Sequence, residues 1–220
     1  MLRAGCDAAQ VQTIPSPAPR VEKAFEPVNR DGVPRFLYLG RLVPQKGLDW
    51  LLRATAAASV PVHIDVGGEG PQRQELEALA RELGIEAQVT FHGWVESARV
   101  TELMRQARAV VFPSVWHEPA GLVSLEAAAY GRAVIASATG GIPEYALPSF
   151  AQLIAPRDVP GLASALEDLG SNPDQADAMG QQGMQAASTT FAMATFAAQV
   201  EAWYHEQAAR NERAVGLSQK

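Results

Sequence analysis

From residue 35 onward the chain alternates short apolar runs with stretches of helical spacing, and few folds accommodate that alternation. The runs fall at 36–39, 62–66, 89–92, 109–112, 133–137 and 152–154. Between them, Leu48, Leu51, Leu52 and Ala54 share one face of a helix over 48–58. Leu76, Leu79, Ala80 and Leu83 share one face of a second over 72–83, with Gly84 as its stop. Further helices are expected over 101–107 and 122–130. Short strands joined by helices pair in parallel through right-handed crossovers. The expected fold is therefore α/β, a doubly wound, Rossmann-like parallel sheet. Beyond Pro160 the pattern turns helical, over 162–169, 175–187 and 191–209, with Trp203 and Tyr204 read as packing residues.

The flanks read differently. Residues 1–34 look like a linker: the end of a helix over 1–9, one short strand over 11–14, then Pro15, Pro17 and Pro19, which prevent regular pairing. The domain proper is expected over 35–209. Residues 210–220 carry no apolar periodicity and are expected to be a disordered tail. A net charge of −6 argues against a nucleic-acid binder but permits a local basic pocket. The single Cys6 cannot form an internal disulfide and fits a reducing cytosol. No apolar run approaches the ~18 residues of a membrane span, and Arg3, Asp7 and Gln10 interrupt any secretory core. A cytoplasmic protein is expected, with peripheral association at the inner membrane face left open.

In an open parallel sheet, ligands bind beyond the carboxyl ends of the strands, and the chemically suggestive residues fall there. The first strand runs into Gly40-Arg41-Leu42-Val43-Pro44-Gln45-Lys46-Gly47. Arg41 can fork onto a phosphate, Lys46 is a compact point charge, and the helix that follows adds its dipole. The loop is neither a Walker loop nor a G-x-G-x-x-G fingerprint. After the fourth strand comes Ser114 to Ala127, with Glu118 in the loop and Glu126 in the helix. Each carboxylate can accept two hydrogen bonds from a diol, although paired glutamates on a surface helix are more often merely solvated. Gly121 gives a ligand close access to main-chain N–H groups. The Gly67-Gly68-Glu69-Gly70-Pro71 run reads as a tight turn, and His92 as a satisfied core histidine. No D-x-D, no Cys/His set with zinc spacing and no G-x-S-x-G elbow is present.

Glu118 and Glu126 with seven residues between them resemble the E-x7-E signature of retaining GT-B glycosyltransferases, the family that shares the glycosyltransferase group 1 domain. The G-R-L-x-x-x-K-G loop at 40–47, the G-x-G-P turn and the G-G-x-x-E run at 140–144 are similar to that family's other motifs, in its order. The resemblance covers about residues 35–209. It implies that Gly40, Arg41 and Lys46 hold the donor diphosphate, that Glu118 binds hexose hydroxyls, and that Glu126 binds ribose. Backbone groups of Ala120, Gly121, Leu122 and Val123 would face sugar or phosphate, and Trp94 and Val95 the base. Little weight falls on Glu144. Ala120 departs from the bulky residue common there, which leaves sugar identity open.

By the same resemblance the chain is the donor-binding C-terminal half of a hexosyltransferase. It would need neither metal nor cofactor, and would use a nucleoside-diphosphate sugar as substrate. An N-terminal acceptor-binding domain or a partner chain would complete it, the isolated chain turning over poorly. Apolar surface left by that half could drive self-association. A non-catalytic nucleotide-sugar-binding module, a subunit of a split enzyme and a nucleotide-sugar epimerase are the alternatives.

Overall fold

The computed structural model describes residues 11–217, with side chains described through 210. The expected helix over 1–9 lies outside the described residues. Six strands form one parallel sheet: β1 Arg35–Leu39, β2 His63–Gly67, β3 Val89–Gly93, β4 Ala109–Phe112, β5 Ala133–Ser137 and β6 Ala151–Ile154. Their order is β3-β2-β1-β4-β5-β6, so the chain winds outward one way from β1 and then the other way from β4. These neighbours pair Phe36 with Ala109 and Leu37 with Val110. The doubly wound α/β expectation holds.

Alternate residues of each strand feed opposite cores. Phe36, Tyr38, Val111 and Ile135 face a core closed by α1 Leu48–Ala57, α2 Arg73–Glu82 and α6 Val159–Ser171. Leu37, Val110, Phe112 and Val134 face a second core. That one is closed by α3 Ser97–Gln106, α4 Leu122–Ala129, the single-turn α5 Ile142–Tyr145 and the end of α7 Pro173–Ser188. With period 2 along the strand and both faces covered, β4 and the stretches 36–39 of β1 and 133–136 of β5 are unbroken apolar runs. Helix α3 starts four residues before the expected 101, because Ser97, Ala98 and Arg99 reach no core and leave no apolar signature.

Two expectations for the flanks are corrected. No strand forms over 11–14. Just beyond it the chain is held by other elements, the Ser16 N–H donating to the Tyr145 hydroxyl at 3.0 Å and Ala18 N–H to Phe191 O at 2.7 Å. The linker is also tied down further along: Val28 N–H donates to Asp177 at 2.7 Å, and the buried Arg108 donates to the Asn29 carbonyl at 2.7 Å. At the other end α8 Met193–Leu217 runs through most of the expected tail. The run Glu206-Gln207-Ala208-Ala209-Arg210 consists of good helix formers, which carry a helix without an apolar stripe. Trp203 and Tyr204 pack edge to face on each other, their centroids 5.4 Å apart, and Tyr204 stays exposed. Among the described residues no helix is long and apolar enough to cross a membrane.

One polar cluster sits inside the sheet. Asp65, buried in β2, accepts from Arg35 Nε at 2.8 Å and pairs with His92 Nε2 at 2.7 Å, so His92 is the satisfied histidine expected. Burial alone would raise the Asp65 carboxyl, but the hydrogen bonds from Arg35 and His92 outweigh it and hold the group below the ordinary aspartate value. A folded value below the unfolded one means the contribution is fully present above the unfolded value of about 3.9 and is lost as pH falls through the folded one. Denaturant melts of Asp65→Asn are therefore expected to show a smaller loss of stability across that acid range than the parent.

Candidate functional site

The strand order reverses between β1 and β4, and the loops leaving their carboxyl ends are 40–47 and 113–121. In an open α/β sheet this reversal opens the ligand crevice. The two loops are stitched together by backbone. Val115 N–H and the Ser114 hydroxyl both donate to Gln45 O, at 2.9 Å each. Pro44–Lys46 forms a 3-10 turn that Gly47 closes at φ 69° before α1 begins. A Cβ at Gly47 would lie 2.1 Å from Pro113 O, so only glycine lets the first loop rest on the fourth strand's end.

This contact brings together residues 72 positions apart. Lys46 Nζ donates to Glu118 Oε1 at 2.7 Å, with both side chains largely buried. The ammonium also lies 5.3 Å from the centre of the Phe112 ring, a cation–π distance. The fully buried Ser114 hydroxyl is 2.8 Å from the same carboxylate oxygen. Behind the loop, the buried Tyr38 donates its hydroxyl to Arg41 O at 3.0 Å, fixing the start of the loop. Burial, with Glu118 and Asp49 nearby, pushes that hydroxyl well above the usual phenol range, so it stays a donor.

Arg41, Lys46 and Glu118 line one cavity of about 400 Å³, together with Gln45, Trp116 and Pro119. Arg41 is exposed and has no carboxylate partner among the described residues. Two cations against one carboxylate give this cavity an anion-accepting balance.

The other expected residues stand around it. Gly121 is the N-terminal residue flanking α4, and no side chain caps that helix, which leaves first-turn N–H groups at Leu122 and Val123 for a ligand or water. Glu126 lies one turn beyond Leu122 on the same exposed stripe of α4. Enough protein surrounds it that desolvation raises its carboxyl above the ordinary glutamate value. Ala120 packs partly against the core. Gly40 lies against the second strand's end, its N–H donating to Gly67 O at 3.0 Å.

Trp94 and Val95 diverge: Trp94 is 75% exposed, whereas Val95 turns inward toward Gly67 and Leu39. Neither lines the cavity of Arg41, Lys46 and Glu118. Gly140 and Gly141 turn out to support Glu118, since a Cβ on Gly140 would lie 2.3 Å from Glu118 O and Gly141 N–H donates to that carbonyl at 2.7 Å.

Sequence reasoning assigned no role to Ser114, Tyr38 or Phe112. Ser114 had a signal, a small hydroxyl immediately past a strand's carboxyl end, but its partners come from another loop. Among the described residues no group of three or more His, Cys, Asp or Glu side chains could hold a metal ion.

The family model described as glycosyl transferases group 1 matches residues 20–186. Glycogen synthase of Mycobacterium tuberculosis is 33% identical over 183 residues, covering 78% of this chain and 43% of that protein. The GDP-mannose-dependent alpha-(1-6)-phosphatidylinositol monomannoside mannosyltransferase of the same organism is 32% identical over 200 residues, covering 84% and 51%. The chain thus spans about half the length, or less, of these relatives. Among solved structures, sucrose-phosphate synthase from Thermosynechococcus elongatus superposes with a TM-score of 0.68 at 31% identity, covering 81% of this chain and 46% of that one. An Anabaena protein in complex with UDP-glucose superposes with a TM-score of 0.71 at 25% identity, covering 79% and 49%.

Proposed function

The chain belongs to the glycosyl transferases of group 1, and from that premise we propose that it is the donor-binding half of a retaining glycosyltransferase. It moves a hexose from a nucleoside-diphosphate sugar to an acceptor hydroxyl. The observation that carries this reading is the meeting of Arg41, Lys46 and Glu118 in one cavity at the sheet's switch point.

In the reaction, the bond from the sugar's C1 to the diphosphate oxygen breaks with its electron pair left on that oxygen, an acceptor oxygen bonds C1 with retention, and the acceptor's proton passes to the departing diphosphate. Charge then grows on the departing diphosphate. Arg41, Lys46 and the uncapped N-terminus of α4 meet that charge, which is where preorganised donors lower a barrier most. Glu118 takes sugar hydroxyls, and because it shares Lys46 with the diphosphate, a bound donor loosens the 2.7 Å pair. Glu126 takes the ribose diol. We assign no protein nucleophile and no metal. A second domain or partner chain completes the acceptor site.

Calorimetric titration with UDP, GDP and ADP, with and without magnesium, tests the reading. One diphosphate is expected to bind in either condition. Its affinity should rise as pH climbs through the raised Glu126 value, because the ionised carboxylate accepts two hydroxyls and the protonated one competes as a donor. Glu126→Gln should bind more weakly and lose that pH dependence. Failure of all three nucleotides to bind would overturn the reading. Donor binding with neither transfer nor hydrolysis, even beside an acceptor domain, would leave a binding module.

A further inference from the structure

A second cavity, of about 370 Å³, adjoins the first and shares Gln45 and Trp116 with it. Its other principal walls are Trp50, Gln72, Asp49 and Arg157. We propose that this cavity is a saccharide subsite that holds a neutral pyranoside acceptor, stacked on Trp116 and Trp50, with its reacting end directed past Gln45 toward the donor. The proposal rests on the donor reading for its place in the reaction, but not for the binding itself.

The composition of the walls sets the ligand class. A pyranose has apolar C–H faces and a rim of hydroxyls, so it pairs with indole faces inside a ring of planar polar groups. Trp116 is 60% exposed although its backbone N–H is held near the Ser114 hydroxyl, at 3.4 Å. A large aromatic is thus presented to solvent from an anchored loop. Gln45 is pinned by its carbonyl, which accepts from Val115 and Ser114, while its side-chain amide has no hydrogen-bond partner among the described residues.

Arg157 is the only described residue other than glycine at positive φ, 67°. Its guanidinium makes no ion pair or hydrogen bond within the described chain. Backbone strain of this kind persists where surrounding structure imposes it and gathers at ligand sites. Asp49 lies in the first turn of α1 with no side-chain hydrogen bond or ion pair among the described residues, and desolvation raises its carboxyl above the ordinary aspartate value. Arg157 and Asp49 balance in charge. This cavity therefore suits a neutral sugar, whereas the Arg41 and Lys46 cavity suits an anion.

The test uses the indole N–H signals of the four tryptophans, Trp50, Trp94, Trp116 and Trp203, in nitrogen-15-labelled protein. Maltotetraose and an α-1,6-linked mannotetraose are titrated separately, then UDP and GDP. At least one oligosaccharide is expected to move the Trp50 and Trp116 signals and leave those of Trp94 and Trp203 in place. Trp116→Ala should weaken that binding about tenfold or more, the usual consequence of removing an aromatic anchor. Arg157→Gly suits the left-handed backbone, so a several-fold loss in that variant reports the guanidinium and not unfolding.

Unmoved Trp50 and Trp116 signals with both oligosaccharides overturn the subsite, as does a Trp116→Ala variant that binds like the parent. A nucleotide that binds when neither saccharide does leaves the donor reading standing and removes only the subsite. Saccharide shifts without any nucleotide binding keep the subsite and remove the donor reading.

Discussion

The Arg41→Ala/Lys46→Ala double variant is expected to lose nucleoside-diphosphate binding while remaining folded. Charge-assisted hydrogen bonds contribute about 1.5–3 kcal/mol each, so two lost contacts weaken binding by about 10²–10⁴-fold. Calorimetry would read this directly, with UDP or whichever nucleotide the parent prefers. The two cations should not contribute equally. Arg41 is exposed and has no ion-pair partner among the described residues, so its loss removes only its own contact. Lys46 sits between Glu118 and Phe112, and its loss leaves a partly buried carboxylate facing the site without its cation. Lys46→Ala alone should therefore weaken an anionic ligand more than Arg41→Ala alone. A double variant that binds like the parent would remove the diphosphate assignment from the 40–47 loop.

Gly47→Ala is expected to be the most damaging small substitution at the site. It places a side chain at φ 69°, and the added Cβ meets Pro113 O at 2.1 Å. Left-handed backbone costs about 1–2 kcal/mol and a forced shift in packed surroundings about 1–3 more. Gly84 is the control, since it has φ 70° and an added Cβ there would meet nothing within 4 Å. Gly84→Ala should cost only about 1 kcal/mol, the backbone penalty reduced by the stiffer unfolded chain. The difference between the two in denaturant unfolding isolates the contact between the first and fourth loops. Nucleotide affinity should fall with Gly47→Ala and not with Gly84→Ala, because the same contact carries Lys46 to Glu118. Equal stability losses would mean that the loops do not depend on that approach.

Much of the framework was legible in the sequence because its signals are local. Strands of period two, buried on both faces, and helices such as α1 and α2 with one apolar stripe declare themselves within ten residues. The loops between them carried glycines, cations and carboxylates at strand ends, where parallel sheets bind ligands. Elements without a stripe were harder to read. The start of α3 reaches no core, the end of α8 is helical by propensity alone, and α5 is a single turn. The proline-rich segment reads as an extended linker, yet its lodging against α5 and α7 depends on Tyr145 and Asp177, each well over a hundred residues away.

The sequence by itself thus determined the order and type of most elements and the residue types available at each strand end, since neighbours along the chain decide those. Only the tertiary structure decided which strand ends would meet. The reversal of winding sets β1 beside β4, and the closeness of Gly47 to Pro113 then carries Lys46 to Glu118. Ser114, Tyr38 and Phe112 acquire their roles there, and Trp116 and Arg157 come to share a cavity. Such contacts depend on crossover paths through space, and no spacing in a linear sequence encodes their distances.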